Sequence, residues 1–322
     1  MPINVIKPGL STTVQDLGRP GYYHIGIPVS GGMDTLSLAA ANLLVGNAAG
    51  DAVLEAVFMG PELEFTQDAT VAVTGADMPP KVDGIEQAGW TAFTVKKGQV
   101  VSFGFLKAGA RAYIAVSGGI DVPVVLGSRS TYTLGALGGF HGRKLQAGDV
   151  LPLGQGKGVA GKTVPETLRR KPGTPAELRM LPGLYWHRIT DAAGERFFAD
   201  TWKVAPEADR IGYRFKAGHP LEFVDREQPF GAGSDPSNIV DACYPYGSVQ
   251  VPGGTEPIVL HRDAVSGGGY FMVGTVVSAD MDLIGQLQPH MPTRFVKVTM
   301  DQAIAARADR KAVLDQIAAA LD

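Results

Sequence analysis

The sequence predicts a mainly β protein of two related lobes, and three observations carry that expectation. Glycine and proline number 42 and 22 among 322 residues, above the averages of ~7% and ~5%. They punctuate short Val/Ile/Phe-rich runs in a chain that is still 45% hydrophobic. No long helical pattern separates the runs between Asp51 and Leu153, which argues against a doubly wound parallel sheet and for an antiparallel barrel or sandwich. Finally, the halves echo each other in order. Arg19-Pro20-Gly21-Tyr22, Gly60-Pro61-Glu62-Leu63-Glu64-Phe65 and Ala115-Val116-Ser117-Gly118-Gly119 have counterparts in Arg210-Ile211-Gly212-Tyr213, Gly218-His219-Pro220-Leu221-Glu222-Phe223 and Ala264-Val265-Ser266-Gly267-Gly268. The expected division is an N-terminal β lobe over 1–153, a linker over 154–175, a C-terminal β lobe over 176–298 and a terminal helix over 299–322.

In chain order, strands are expected at Asn4–Ile6 and Thr12–Gln15, followed by a loop holding Gln15, Asp16 and Arg19. Asp34 follows Gly31-Gly32 and precedes Leu36, Ala39, Ala40, Leu43 and Leu44 at helical spacing, so it reads as an N-cap, with Gly46 or Asn47 ending the helix. Short strands are expected at Ala52–Phe58, Leu63–Phe65, Thr70–Thr74, Thr91–Val95, Val100–Phe105 and Ala112–Val116. Gly154 to Pro175 is glycine-rich, then basic, then proline-bounded, which suits an exposed spacer. Tyr246 to Tyr270 reads as a hairpin. Val249 and Val251 share one face with Gln250 on the other, Pro252-Gly253-Gly254 makes the turn, and Ile258–Leu260 delivers His261, Arg262 and Asp263 beside the glycine run Gly267–Gly269. Such a run would let a ligand approach the backbone. The alanine-rich end carries Ile304, Leu314, Ile317 and Leu321 as a docking stripe.

Composition narrows the function. A net charge of −3 without a long single-sign run argues against nucleic-acid and anionic-membrane binding. One cysteine, Cys243, fits a reducing compartment, and the absence of a signal-like start or a ~20-residue apolar run points to the cytoplasm. Metal chemistry is not expected, since the six histidines lack ligand spacing. Gly156 to Thr163, GKGVAGKT, matches a phosphate-loop pattern, but Pro165 and Pro172 limit any following helix to about two turns. No G-x-S-x-G elbow occurs. What remains is a set of arginines, acids and amides in glycine-rich loops: Gln15, Asp16, Arg19, Asp34, Arg129, Arg210, Tyr213, Gln250 and Asp263. Arginine can clamp a carboxylate or steady an oxyanion, and an aspartate can relay a proton. Taken singly, each also suits a surface ion pair or a loop hydrogen bond.

TVQDLGRPGY, PVSGGMD, ANLLVGN, AVSGGIDVPVVLGSRST, ADRIGYRF and VQVPGGTEPIVL…D…GGY, in that order, resemble the biotin-dependent carboxyltransferase family over nearly the whole chain. The resemblance implies a cyclophilin-like β-barrel architecture for the lobes. It also implies an obligate KipI-like partner, the B subunit, that contributes the other half of the site. The activity it implies is a share in an ATP-dependent 5-oxoprolinase, hydrolysing 5-oxo-L-proline to L-glutamate with that B subunit and a lactam-utilisation-type A subunit. Two alternatives stand beside it: transfer of a carboxyl group from carboxybiotin, carried on a partner, to urea or a related amide, and a non-catalytic, KipA-like antagonism of a KipI-like kinase inhibitor. ATP would be used by the complex, with no credible site in this chain. Carried over residue by residue, the resemblance marks Gln15, Asp16, Arg19, Asp34, Asn42, Arg129, Arg210, Gly212, Tyr213, Gln250, Pro252, Asp263 and Gly268 without dividing them by role; from their chemistry Arg19, Asp34 and Asp263 are the candidate catalytic groups. Gln15, Arg129, Arg210, Tyr213, Gln250 and Gly268 become candidate substrate-binding positions. Two departures stand out: Phe271 where the family usually has proline after G-G-Y, and Leu184-Tyr185-Trp186-His187 after the L-P-G motif.

Overall fold

The computed structural model describes residues 2–321; Met1 and Asp322, the outermost residues of the expected first lobe and terminal helix, lie outside the described residues. The chain forms two compact units. The first holds residues up to Pro20, Val29–Lys171 and the chain from Lys311 onward; the second holds Gly21–Pro28 and Pro172–Arg310.

The first unit contains two antiparallel sheets. One runs, in spatial order, Val150–Pro152, Pro2–Lys7, Glu62–Phe65, Val100–Phe103, Pro80–Val82 and Ile85–Glu86. The other runs Thr12–Gln15, Val53–Val57, Ala108–Val116, Ala69–Asp77 and Ala92–Val95. The period-two alternation of each strand sorts its side chains between two cores. Ala112, Ile114 and Val116 join Ile3, Val5, Leu63 and Phe65 in the core shared by the sheets. Tyr113 and Ala115, on the opposite face, pack with Leu36, Ala40, Ala41 and Leu44 of the Thr35–Leu44 helix.

Every strand expected in this half is present, and the three short ones at Pro80–Val82, Ile85–Glu86 and Val150–Pro152 are additional. Gly154–Lys171 runs along this unit. The Gly158 N–H donates to Ser117 Oγ at 2.7 Å, Thr70 Oγ1 donates to Gly158 O at 2.9 Å, and Val164 is buried. Only a single 3-10 turn, Glu166–Leu168, follows the phosphate-loop-like stretch.

The second unit is a closed seven-stranded barrel in the order Ala176–Pro182, Met272–Val276, Ser248–Gln250, Ile258–Leu260, Gly212–Lys216, Trp202–Val204 and Pro292–Lys297. A parallel pairing of the last strand with the first closes it. Rings of Phe197, Phe215, Trp202 and Phe295 fill one part of the interior, with Phe197 and Phe295 stacked at 5.0 Å. The expected hairpin forms: Ser248–Gln250 pairs with Ile258–Leu260 across a turn in which Gly253 and Gly254 take φ of 61° and 70°.

Three local expectations change. Gly267–Tyr270 is not an open glycine loop but a strand, paired with Asn238–Cys243 in a two-stranded ribbon. The small residues allow close pairing, since a Cβ on Gly269 would lie 3.0 Å from Ile239 O. Ile304 does not dock. It is 50% exposed, because the buried face of the Met300–Leu321 helix at that turn carries Ala303 and Ala306; Ile317 and Leu321 are buried further on. The echoed segments also fold differently: Glu62–Phe65 is a sheet strand, whereas Leu221–Phe223 supplies only an isolated bridge from Phe223 to Ile189. No helix among the described residues is long and apolar enough to cross a membrane.

Candidate functional site

In the first unit the candidates converge on Ser128–Thr131. Asp16 follows the Thr12–Gln15 strand, and its Oδ1 accepts from the Gly18 N–H at 2.7 Å and from Ser128 Oγ at 2.6 Å; Ser130 Oγ donates to the same oxygen. Its Oδ2 accepts from the Arg129 N–H at 2.5 Å. A carboxylate so engaged shapes a loop first. Arg19 is almost wholly buried, at 1% exposure, and its Nη2 donates to Ser130 O. Gly138 makes room for it, because a Cβ there would lie 2.6 Å from that nitrogen. Gln15 Nε2 donates to Thr13 Oγ1 at 3.0 Å and to Thr131 O at 3.2 Å. Gln15 Oε1 is buried without a hydrogen-bond partner among the described residues. Arg129 sits at the rim, paired with Asp121 at 2.7 Å and donating to Val122 O at 2.7 Å.

Asp34 caps its helix as the sequence predicts. Oδ1 accepts from the Ser37 N–H at 2.9 Å and Oδ2 from Ser37 Oγ at 2.6 Å. The approach to the cap rests on a buried acid that sequence inspection passed over. Glu55 Oε2 accepts from the Met33 N–H and from Tyr113 Oη, each at 2.8 Å, and Tyr113 Oη accepts from the Asp34 N–H at 2.7 Å. Burial, then the negative charges of Glu55 and Asp34, push the Tyr113 phenol well above its ordinary value.

In the second unit Arg210 and Asp263 meet as a fork: Nε to Oδ2 at 2.8 Å and Nη2 to Oδ1 at 3.2 Å. The barrel sets the geometry, because the Asp263 N–H donates to Arg210 O and the His261 N–H to Ile211 O, each at 2.9 Å. Asp263 is nearly buried while the Arg210 side chain keeps 16% exposure, so the guanidinium is the more accessible half. Tyr213 is buried in the neighbouring strand, opposite Val259.

Gln250 and Gly268 belong to a second grouping, around Tyr244. Burial raises the Tyr244 phenol, and the Gln250 side chain is close enough to draw it down. Tyr244 Oη donates to Tyr270 O at 2.7 Å, and a Cβ on Gly268 would lie 3.1 Å from the Tyr244 ring. Phe271 is buried against Phe223 with ring centroids 5.1 Å apart, and its N–H donates to Ser237 O at 2.8 Å, a bond that proline cannot make. In the other departing stretch Trp186 stacks on Phe198 at 5.4 Å.

Three further groups adjoin the Arg210–Asp263 fork. The Arg262 guanidinium lies 4.9 Å from the Tyr246 ring centroid, and the Tyr246 ring meets His261 edge-on at 5.3 Å. Tyr246 Oη is shielded from solvent with no hydrogen-bond partner among the described residues, and burial pushes it up to about 12. Tyr23, from the Gly21–Pro28 segment, is raised by burial while the Arg262 charge draws it down and Asp263 raises it further. Their signal in the sequence was the density of tyrosine in GRPGYYHIG and YPYG, which periodicity does not register.

Comparisons with known proteins agree with this architecture. The profile of the family described as carboxyltransferase domain, subdomain A and B, matches residues 25–297. The chain is 35% identical to the 5-oxoprolinase C subunit of Escherichia coli over 320 residues, covering 98% of this chain and 97% of that one. It is 34% identical to urea amidolyase of Saccharomyces cerevisiae over 311 residues, 94% of this chain but 17% of that longer protein. The crystal structure of K. lactis urea amidolyase superposes with a TM-score of 0.91 at 32% identity, covering 98% of this chain and 20% of that one. These matches, running through both clusters of polar residues, show that the chain belongs to the carboxyltransferase-domain family, subdomains A and B.

Proposed function

We propose that the chain is the C subunit of an ATP-dependent 5-oxoprolinase complex acting in the cytoplasm, where it opens 5-oxo-L-proline to L-glutamate together with a KipI-like B subunit and a lactam-utilisation-type A subunit. The observation that carries this reading is the 35% identity to the 5-oxoprolinase C subunit across 98% of this chain and 97% of that relative. In the reaction the lactam C–N bond breaks, water supplies the new carboxylate oxygen, and the ring nitrogen leaves as an amine. An unstrained lactam resists this, hence the coupling to ATP. Gly156–Thr163 does not fit a nucleotide's phosphates, because no helix N-terminus follows to receive them; no step is assigned to ATP on this chain.

In this reading Arg210 polarises the lactam carbonyl, and its support is the fork in which Asp263 holds the guanidinium. Asp263 is also the candidate proton acceptor in the second unit, as Asp34 and Arg19 are the catalytic candidates in the first. Gln15, Arg129, Tyr213, Gln250 and Gly268 are the proposed binding positions.

A second reading has its own support in the 34% identity to urea amidolyase. There the chain would pass a carboxyl group from carboxybiotin on a partner to an amide nitrogen, and the same arginines would hold the carboxylate. Co-expression with the neighbouring subunits and an ATP-dependent glutamate-release assay on 5-oxo-L-proline decides between them. Glutamate from the assembled complex supports the first reading. Carboxylation of urea in the presence of a biotin carboxylase and carrier supports the second. An assembled complex that does neither removes both and leaves the antagonist role.

A further inference from the structure

Arg188 and Arg226 form a cationic pair outside the clusters described above. Ile189 and Phe223 face each other in an antiparallel bridge, and the Val224 N–H donates to Arg188 O at 2.9 Å. Arg188 therefore stands opposite Val224, and Arg226, two residues on, is near enough for its charge to act on the Arg188 guanidinium. The Arg188 guanidinium lies 4.5 Å from the Tyr185 ring centroid. Tyr185 in turn packs on the apolar cluster of Tyr244, Leu260 and Met272, the cluster beside Gln250 and Gly268.

Two like charges held together normally attract an acid. No carboxylate among the described residues lies within ion-pair distance of either one, and the two bonds that Arg226 makes, to Glu227 O and Asn238 O, are long at 3.5 and 3.4 Å. Arg188 Nη1 and Arg226 Nε are buried with no hydrogen-bond partner among the described residues. Burial and the Arg226 charge hold the Arg188 guanidinium below its ordinary value. Leaving such donors unfilled is costly, and a bound anion relieves both the repulsion and the missing bonds.

We propose that Arg188 and Arg226 are a receptor for the carboxylate of a small molecule whose apolar body rests on Tyr185 and its cluster. The planar guanidinium, already stacked on a ring, presents parallel N–H donors that match a carboxylate. The adjoining wall is aromatic and aliphatic, which suits a carbon skeleton better than a fully hydrated phosphate. The receptor rests on the proposed function only in the choice of one probe, 5-oxo-L-proline, which carries a carboxylate beside its lactam.

Calorimetric titration of the full chain with 5-oxo-L-proline and, independently of that reading, benzoate tests it. The uncharged counterparts 2-pyrrolidinone and benzamide, and inorganic phosphate, serve as contrasts. Binding of a carboxylate probe that weakens at least about tenfold in Arg188→Ala and Arg226→Ala, with the uncharged counterpart bound no better, is the expected result. Each variant removes one of two repelling charges, so the fold should survive, and the unfolding midpoint checks this. Equal affinity in wild type and variants, no preference for the carboxylate form, or binding of phosphate alone would overturn it. A complex that releases glutamate with an unchanged KM in Arg188→Ala refutes the receptor and spares the 5-oxoprolinase reading. Benzoate binding lost in the variants of an inactive complex does the reverse.

Discussion

Replacing Asp34 by alanine and by asparagine separates its capping role from a chemical one. Both carboxylate oxygens are occupied by Ser37, at 2.9 Å through the backbone N–H and 2.6 Å through the hydroxyl, and the residue is 4% exposed. Loss of an aspartate cap to alanine costs about 0.5–2 kcal/mol. The Ser37 hydroxyl, buried beneath it, loses its acceptor, for which about 1 kcal/mol more is reasonable because the hydroxyl can rotate. The alanine variant should therefore lose about 1.5–3 kcal/mol. Asparagine keeps a carbonyl for the Ser37 N–H and ranks with aspartate as a cap, so it should lose less than about 0.5 kcal/mol. Urea unfolding followed by the fluorescence of Trp90, which packs in the same cluster as Leu36 and Leu44, reads the relevant unit. With m of about 1–3 kcal/mol per molar, the alanine midpoint falls by about 0.5–3 M and, at the same m, the asparagine midpoint by no more than about a third of that. An asparagine variant as unstable as the alanine one would refute the capping arithmetic. A stable asparagine variant slowed about 100-fold or more would instead make the charge itself part of the reaction.

Phe271→Pro should destabilise the chain by about 3 kcal/mol or more, because it removes the N–H bonded to Ser237 O and a buried ring packed on Phe223; chemical denaturation measures it. Gly138→Ala should cost about 2 kcal/mol and weaken substrate binding, since its Cβ would overlap Ser130 O and lie 2.6 Å from Arg19 Nη2 where φ is +66°; steady-state kinetics of the assembled complex, beside its midpoint, check both parts. Tyr246→Phe bears on pH. The phenol rises from its ordinary 10.0 to about 12 in the fold, so its contribution is complete below pH ~10, where folded and unfolded chains both keep the proton, and is lost as pH climbs toward ~12, where only the unfolded chain has released it. That rise corresponds to about 2–3 kcal/mol. Stability measured across that window should fall less steeply in the phenylalanine variant; an identical slope would contradict the burial of Tyr246.

Much of the fold was legible because period-two patterns and turn residues act locally. Val249 and Val251 around Gln250, followed by Pro252-Gly253-Gly254, specify a hairpin wherever it lies in the chain. Two-residue and three-residue strands such as Ile85–Glu86 and Pro80–Val82 were not legible, since their pairing partners rather than their own composition make them strands. The glycine run at 267–269 reads as a loop by composition and becomes a strand because Asn238–Cys243 lies against it. Ile304 fails for a related reason: hydrophobicity marks it, yet alanines on the neighbouring face permit closer packing. At the candidate site, residue type identified Asp16, Asp34, Asp263 and the arginines, while the tyrosines around Arg262 escaped notice because tyrosine is common in cores.

The hydrogen-bond accounts of these residues differ in a way that bears on function. Asp16 and Asp34 are saturated by local donors, and Asp263 is tied into a guanidinium fork. Groups so engaged hold loops and helix ends in place, and a substrate must compete with existing bonds to recruit them. Gln15 Oε1, Tyr246 Oη, Arg188 Nη1 and Arg226 Nε are buried and unfilled among the described residues. A fold tolerates few such atoms, because each forfeits the hydration it had in the open chain. Ligands with matching polar atoms recover that energy on binding, so affinity should be most sensitive to the unfilled groups and stability to the saturated ones. Gln15→Leu and Asp16→Ala put the contrast to work within adjacent residues. The first should impair substrate binding and, through the lost bonds to Thr13 Oγ1 and Thr131 O, lower the midpoint by only part of what the second loses. The second should lower the midpoint most, by releasing Ser128–Ser130, and affect binding less. The opposite pattern, in matched binding and denaturation measurements, would mean that satisfaction of polar groups does not sort function from scaffold in this protein.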